Sequence, residues 1–486
     1  MTRSARLQWL VVTAFATAAL ATIATSAGSS WLVTHITGLL VMLAELLREG
    51  VFYPREATLE LVYSTYYQPL AFAPIALLPG HGLELVRGMR WLIGCETLAL
   101  LGTMVALVRS LGASWGTATW PALWALCTMP CLFALVGMRD DPRAAWFAMA
   151  GLLALARRGR FAPELAGLWL ALAFFTKITA PAAPGLAALV LAVRAGRPIL
   201  VRFAFATTAC VAVPFAILQW ACGADLLGIV LRLGVFEPAF VPRSLLGAAL
   251  RMGHDLGLLD LGSWSVMPLA ALSLALLALR LYKLRIDACD VLVAATWLKT
   301  LMVYRHPGTD LNHLLDLVLA LAIHVTIRSK AWLTSGRGLL VLAGLYALGR
   351  PHEFILSGRR LPPLEATSAA GVSLALAAAP ASGPTLAEDP LVAILADLRP
   401  RVPDPSTADA ILRRHPQIGA RWFGPKTQAG ALQRIVLLRD PFATGAEPDA
   451  AQWYGVVAYG KDFVAELRAH WKIVISSDAA CVLERR

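Results

Sequence analysis

GLLALARRGRFAPELAGLWLALAFFTKITAPAAPGLAALVLAVRAG, residues 151–196, alternates apolar runs with a knot of arginines and a proline-framed lysine. The runs are 142–156, 163–177 and 180–193. A helix crossing a membrane takes roughly 20 mostly apolar residues, so each is short, and the last two also read as one broken helix. Arg157, Arg158 and Arg160 crowd one turn, whereas Lys177 stands alone in the next. That pattern of apolar spans with charge confined to the turns predicts a polytopic membrane protein.

Working outward, further spans fall near 7–26, 89–109, 116–137, 199–221, 264–280, 287–304, 311–327 and 331–349. The total is eleven, within two. Residues 67–79 are apolar but interrupted at Pro69, Pro74 and Pro79, which predicts a re-entrant or interfacial piece. Composition agrees: 58% of the 486 residues are hydrophobic, mean hydropathy is +0.64 and 15% are charged. Soluble domains carry roughly 25% charged residues. A soluble enzyme, a disordered chain and a nucleic-acid-binding module are thereby excluded. Arg3 and Arg6 before the first run also fit a cleavable signal, but ten later spans favour an uncleaved first helix.

Basic residues set orientation, because short cytoplasmic loops are rich in Lys and Arg. With the N-terminus inside, alternate turns hold Arg109, Arg157/Arg158/Arg160, Arg194/Arg197, Arg280/Lys283/Arg285 and Arg328/Lys330. The opposite loops hold acids, among them Glu45, Glu49, Glu56, Asp140, Asp141 and Asp255. The net charge of +12 is thus mostly a topology signal. Eleven crossings put the C-terminus outside. The seven cysteines make no metal-like cluster; Cys127 and Cys131 sit on one span, and Cys481 is alone in the polar C-terminal region.

The fold class expected is an all-α polytopic membrane domain, 1–350, with a small C-terminal extramembrane α/β domain. An Ala/Pro/Ser-rich linker occupies 351–388 and the external domain 389–486. Within it, helices are expected near 389–399, 406–414 and 461–470, a strand at 433–438 and a hairpin of 472–476 with 480–484. The first outer loop, 27–88, contains Trp31 to Glu49, whose helical apolar spacing fits a helix lying on the outer membrane surface.

Four places at the outer side carry candidate chemistry, since charge at a membrane is costly and often functional. MRDDPRAAW holds Asp140 and Asp141 between Arg139 and Arg143. Its bland reading is a solvated turn with Asp141 capping the next helix; its functional reading is a carboxylate that acts as base or holds an acceptor or metal, with Arg139 and Arg143 holding a phosphate or keeping the acids ionised. FFTKITAPAAP isolates Lys177, either snorkelling or neutralising a lipid-linked phosphate. VYRHPGTDLNHLLD brings Arg305, His306, Asp310, Asn312, His313 and Asp316 to one turn; the two histidines are poorly spaced for zinc. The first loop adds Glu45, Glu49 and Glu56, with Tyr53, Tyr66 and Tyr67 as interfacial anchors.

In order, the GVFYP and YYQPL segments of the first loop, RDDP before a span, TKITAPAAP, and PGTDLNHLLD resemble the polytopic GT-C glycosyltransferases. The similarity covers about residues 1–350 and is nearest to the bacterial branch of protein mannosyltransferases and the aminoarabinose transferase of lipid A. It implies inverting transfer of a sugar from a polyprenyl-phosphate donor to a glycan, lipid or protein acceptor at the outer face of a bacterial plasma membrane. By that resemblance Asp140 or Asp141 lines the acceptor side, Lys177 and Arg305 contact the carrier phosphate, and Asn312 and His313 shape the sugar pocket. Arg139, Arg143 and Tyr66 complete the donor side. No metal ligand set is visible, although two adjacent acids are able to bind a divalent ion.

One departure matters. The family has an acid soon after the first span, whereas here no carboxylate lies between Met1 and Ala44. Glu45, Glu49 and the Asp140–Asp141 pair compete for the base, with His35 as a minor candidate. A flippase for a lipid-linked saccharide and a non-catalytic scaffold are the rival functions.

Overall fold

The computed structural model describes residues 13, 17, 35–54, 57–63, 65, 67–126, 128, 139–222, 244–255, 266–305, 311–329, 383–403, 408, 412–413, 415–423, 432–438, 440–442, 463–476 and 480–486. In chain order the helices are α1 (His35–Arg48), α2 (Pro69–Ala76), α3 (Gly82–Ser110), α4 (Trp115–Ala118), α5 (Trp120–Leu126), α6 (Asp141–Ala156), α7 (Ala162–Thr176), α8 (Ala182–Ala195) and α9 (Arg197–Cys222). They continue with α10 (Leu245–Asp255), α11 (Met267–Tyr282), α12 (Ala288–Val303), a 3-10 turn (Leu311–Leu314) and α13 (Leu315–Arg328).

Among the described residues, α3 and α9 are long and apolar enough to cross a membrane, and α7, α8 and most of α11 are shorter apolar helices. The 29 residues of α3 reach about 43 Å at 1.5 Å per residue, beyond the ~30 Å of a hydrocarbon core. Phe205, Ile217 and Trp220 of α9 are exposed, an arrangement that suits lipid and not water. Gly167 lets α7 meet α9 closely: a Cβ there would stand 2.7 Å from the Thr207 amide nitrogen. Small residues serve close packing where lipid gives no hydrophobic drive. The expected span at 331–349, nearly all of that at 7–26 and the second half of that at 116–137 lie outside the described residues.

Leu107 of α3, Leu152 of α6, Leu191 of α8, Leu292 of α12 and Ile327 of α13 line one cavity of about 320 Å³. So α3, α6, α8 and α13 finish at one end of the bundle, where α12 begins. Because α6 and α8 both run toward that end, the chain reverses at each end of α7. The runs 163–177 and 180–193 are therefore two helices, not one broken helix.

The C-terminal unit contains β1 (Thr385–Ala387), α14 (Pro390–Leu395), α15 (Pro416–Phe423), β2 (Arg434–Leu437), α16 (Phe463–His470), β3 (Trp471–Ser476) and β4 (Cys481–Arg485). The sheet order is β1-β2-β4-β3, parallel between β1 and β2 and antiparallel elsewhere. The expected strand, hairpin and C-terminal helix all form; β1, which begins four residues before 389, and α15 were not foreseen. Trp422, Trp471, Phe463, Ile435 and Leu483 fill its core.

This unit grips the first loop. The Trp422 indole donates to the Leu59 carbonyl at 3.1 Å, and the Arg401 amide donates to the Glu60 carbonyl at 2.8 Å. Helix α1 does not give its apolar face to lipid, as its amphipathic spacing implied. Leu39 to Ala44 are each at most 1% exposed, packed against α2 and α14. The contact is intimate at Gly38, where a Cβ would come within 2.8 Å of Asp389 Oδ1 and the Leu391 nitrogen. Tyr53 is likewise no interfacial anchor: it is buried among Phe52, Tyr63 and Phe72 and donates to the Tyr67 carbonyl.

Candidate active site

At the end of the bundle opposite the leucine-lined cavity, helix termini remote in sequence deliver charge to one place. Asp140 is the N-cap of α6 and Asp141 its first residue; Lys177 is the C-cap of α7. The 3-10 turn supplies His313, α13 supplies Asp316 and the last turns of α12 supply Lys299. The Lys177 ammonium donates to Asp141 Oδ1, and its Nζ lies 3.5 Å from His313 Nδ1. Lys299 donates to Asp316, whose charge also acts on Lys177. Arg139 is buried and its charge acts on Asp141.

The bland reading of the acids fails. Asp140 is 5% exposed and makes no side-chain cap bond, so it is neither solvated nor spent on the helix end. Burial first, then the neighbouring Asp141 carboxylate, pushes Asp140 up to about 6. Asp141 is pinned by Lys177, which leaves Asp140 as the carboxylate whose proton is exchangeable near neutral pH. Lys177 does not merely snorkel, yet its side chain keeps 23% exposure, as does that of Asp316.

Arg143 is a correction. It is 2% exposed, donates from Nε to Glu96 Oε1 at 2.6 Å and caps the carbonyls of Leu70 and Ala71, the latter at 3.0 Å. Facing inward one half-turn after Asp141, its guanidinium is spent on tying α6 to α3 and α2, while its charge still favours the ionised form of Asp140, the second of its two expected roles. Removing one partner of a buried pair costs about 3–5 kcal/mol. Arg143→Ala is therefore expected to lower stability by that order, read as loss of folded protein in thermal unfolding, with an equal loss in Glu96→Ala.

Glu45 is a second correction. Its carboxylate faces His81 Nδ1 at 3.0 Å and accepts from the Gly82 amide at 3.2 Å, in a cleft against α14. Gly82 and Glu96 are 14 residues apart on α3, about 21 Å along the axis. Glu45 is thus far above the level at which Arg143 and Asp141 sit. Arg305 follows the end of α12, half-buried, with its amide on the Met302 carbonyl at 3.3 Å. Tyr66 and the side chains of Asn312 and His35 lie outside the described residues.

Sequence reasoning missed Lys299, although a lone lysine in the span 287–304 is the same signal that marked Lys177. It also read Arg280 and Arg328 only as orientation markers. Both are partly buried and paired with Asp287 and Asp290 around His324, which bonds Asp290 at 3.1 Å and Ser273 at 2.9 Å. That network closes the other end of the bundle; Asp290, His324 and Ser273 are wholly buried. Among the described residues no three or more His, Cys, Asp or Glu side chains are grouped to hold a metal ion.

Residues 66–307 match the model of glycosyltransferase family 87. No curated protein matches the sequence. In structure the chain is similar to ArnT from Cupriavidus metallidurans in the apo state, at 12% identity and a TM-score of 0.60, covering 99% of this chain and 98% of that one. The same protein bound to undecaprenyl phosphate gives 12% identity and 0.59, covering 97% of each chain. The Archaeoglobus fulgidus oligosaccharyltransferase, in complex with Zn and sulfate, gives 12% and 0.56, covering 98% of this chain and 73% of its own. The chain has the GT-C fold, and the sequence resemblance to that superfamily holds.

Proposed function

We propose, with this GT-C fold as the premise, that the chain is a multi-pass membrane glycosyltransferase. It moves a sugar from a polyprenyl-phosphate donor to an acceptor hydroxyl at the outer face of a bacterial plasma membrane. The observation that carries the reading is the meeting of Asp140, Asp141, Lys177 and His313, joined electrostatically to Lys299 and Asp316. ArnT, whose fold it shares, binds undecaprenyl phosphate. The orientation is N-terminus inside, with the C-terminal unit outside, because the arginine-rich turns flank the leucine-lined end.

Asp140 takes the proton of the acceptor hydroxyl as that oxygen attacks the anomeric carbon. The bond from that carbon to the carrier phosphate oxygen breaks, and the phosphate leaves with the bonding pair. The configuration inverts. Lys177 and Lys299, with Arg305, supply positive charge to the leaving phosphate, as preorganised cations do wherever negative charge develops. Asn312 and His313 border the sugar. Because Lys177 already neutralises Asp141, the two acids make a weak donor set for a divalent ion, and transfer is expected to persist in excess EDTA.

Transport is disfavoured by the placement of the polar groups. The Asp140 cluster at one end and the Asp290 network at the other are separated by an apolar core that includes Leu152, Leu170 and Leu319. The test is the pH profile of transfer by purified protein in nanodiscs with undecaprenyl-phosphate-linked sugars. A base must be ionised, so the rate is expected to be flat above neutrality and half-maximal near 6. Below that it falls about tenfold per pH unit. A flat profile down to pH 4 removes Asp140 from the role, and no transfer from any carrier-linked sugar removes the function.

A further inference from the structure

A polar cleft of about 330 Å³ opens where the C-terminal unit meets the first loop, lined by Glu45, Glu49, His81, Asp397 and Arg401 together with Ile394 and Leu395. That volume is within the range of ~300–1,000 Å³ typical of small-molecule sites. Its groups come from three separate segments: the end of α1, the start of α3 and the turn after α14.

Glu45 is buried and holds His81 by Nδ1, with the Gly82 amide and, at 3.6 Å, Arg48 completing its surroundings. The His81 side chain is 82% exposed, so its second ring nitrogen is available to a ligand. Arg401 is 8% exposed; its guanidinium reaches Glu49 and, at 3.2 Å, Asp397, while Nε has no hydrogen-bond partner among the described residues. The guanidinium is thus held in the wall by two carboxylates, a fixed donor group at the edge of the cleft.

The lining therefore offers both acceptors and donors at close range. Three carboxylates oppose an anion. Two arginines already balance most of their charge, which weakens the pull on a free cation. The ligand that matches is one whose groups each donate and accept, a chain of hydroxyls.

We infer that this cleft is a saccharide-binding subsite, which holds the glycan portion of an extended acceptor away from the transfer centre. Its identification as an acceptor site rests on the transferase reading; its affinity for saccharide does not. Gly82 at the cleft and Glu96, which holds Arg143 of α6, are about 21 Å apart along α3, so a molecule that runs from the cleft toward the Asp140 end of α6 is longer than a single sugar. Glycan-bearing acceptors are thereby favoured over small alcohols.

The test uses the full chain in nanodiscs and saturation-transfer NMR. The probes are linear oligosaccharides of glucose, mannose, galactose and arabinose, with spermidine and an unglycosylated peptide mixture as controls. Saturation of at least one oligosaccharide is expected. His81→Ala and Glu49→Gln should each weaken it by about tenfold, the value of one or two hydrogen bonds. Both side chains are substantially exposed, at 82% and 43%, so folding is expected to survive, and binding of undecaprenyl phosphate checks that it does. Asp140→Asn should leave saccharide binding intact.

Absence of any oligosaccharide signal, unchanged binding in both cleft variants, or spermidine or peptide binding in place of sugar would each overturn the inference. If saccharide binds as expected while Asp140→Asn still transfers, the transferase assignment fails and the cleft stands. If Asp140→Asn abolishes transfer and no saccharide binds, the reverse holds.

Discussion

Asp140→Asn is expected to reduce glycosyl transfer by about 10²–10⁴-fold, the usual worth of a positioned general base, while binding of undecaprenyl phosphate stays unchanged. The reasoning turns on what the substitution removes. Asn keeps the shape and the hydrogen-bonding oxygen, but it cannot take a proton. Asp140 makes no side-chain cap bond, so α6 loses no capping hydrogen bond at its N-terminus. Its pKa lies above the ordinary carboxylate range through burial and the adjacent Asp141 charge, which means that its ionised form destabilises the folded protein. Below the unfolded pKa the protonated group contributes its stability in full; that contribution disappears as pH rises through about 6. At neutral pH the Asn variant should consequently melt at the same temperature as the parent or higher. Lost activity with undiminished stability distinguishes a chemical role from a structural one. Asp140→Glu, which restores a carboxylate one methylene further out, should recover part of the rate. Full activity in the Asn variant would pass the base to another group.

Much of the bundle was readable because lipid imposes a simple rule on sequence: spans are apolar and charge collects at their ends. Lys177 and the Asp140–Asp141 pair were visible for that reason, being charges beside long apolar runs. Arg143 was not separable from them, since a buried clamp and a phosphate ligand obey the same pattern. Only the position of Glu96, 47 residues earlier, tells them apart. The surface reading of α1 failed for a related reason. Amphipathic spacing announces an apolar face but not what covers it, and here the cover is α2 with α14, the latter more than 340 residues downstream. Glu45 shared that fate: its partner His81 lies across the first loop, at the start of α3. Asp287 and Asp290 were overlooked because the arginines around them dominated the count of that turn. Which charges stand at the ends of spans was legible; which partner each one takes on tertiary closure was not.

Lys177→Met separates the two tasks assigned to this lysine, holding Asp141 and receiving phosphate. Alone it strands a carboxylate that is 6% exposed. Breaking a buried pair in this way costs about 3–5 kcal/mol, so the single variant should unfold at a markedly lower temperature or fail to accumulate. Its loss of transfer would then say nothing about phosphate. The double variant Lys177→Met with Asp141→Asn removes both charges together, and a buried pair replaced as a unit is often neutral or even stabilising. That protein should recover most of the lost stability. Transfer should nevertheless remain at least about 10²-fold below the parent, since the cation that meets the developing charge on the departing phosphate is gone. Affinity for undecaprenyl phosphate should fall as well, measured by thermal shift on titrating the lipid. Lys299, paired with Asp316 at the neighbouring helix ends, is expected to hold part of that affinity, so removing it in the double variant should deepen the loss. Parent-like transfer in the stable double variant would show the Lys177–Asp141 pair to be a structural strut and leave the leaving group to other cations.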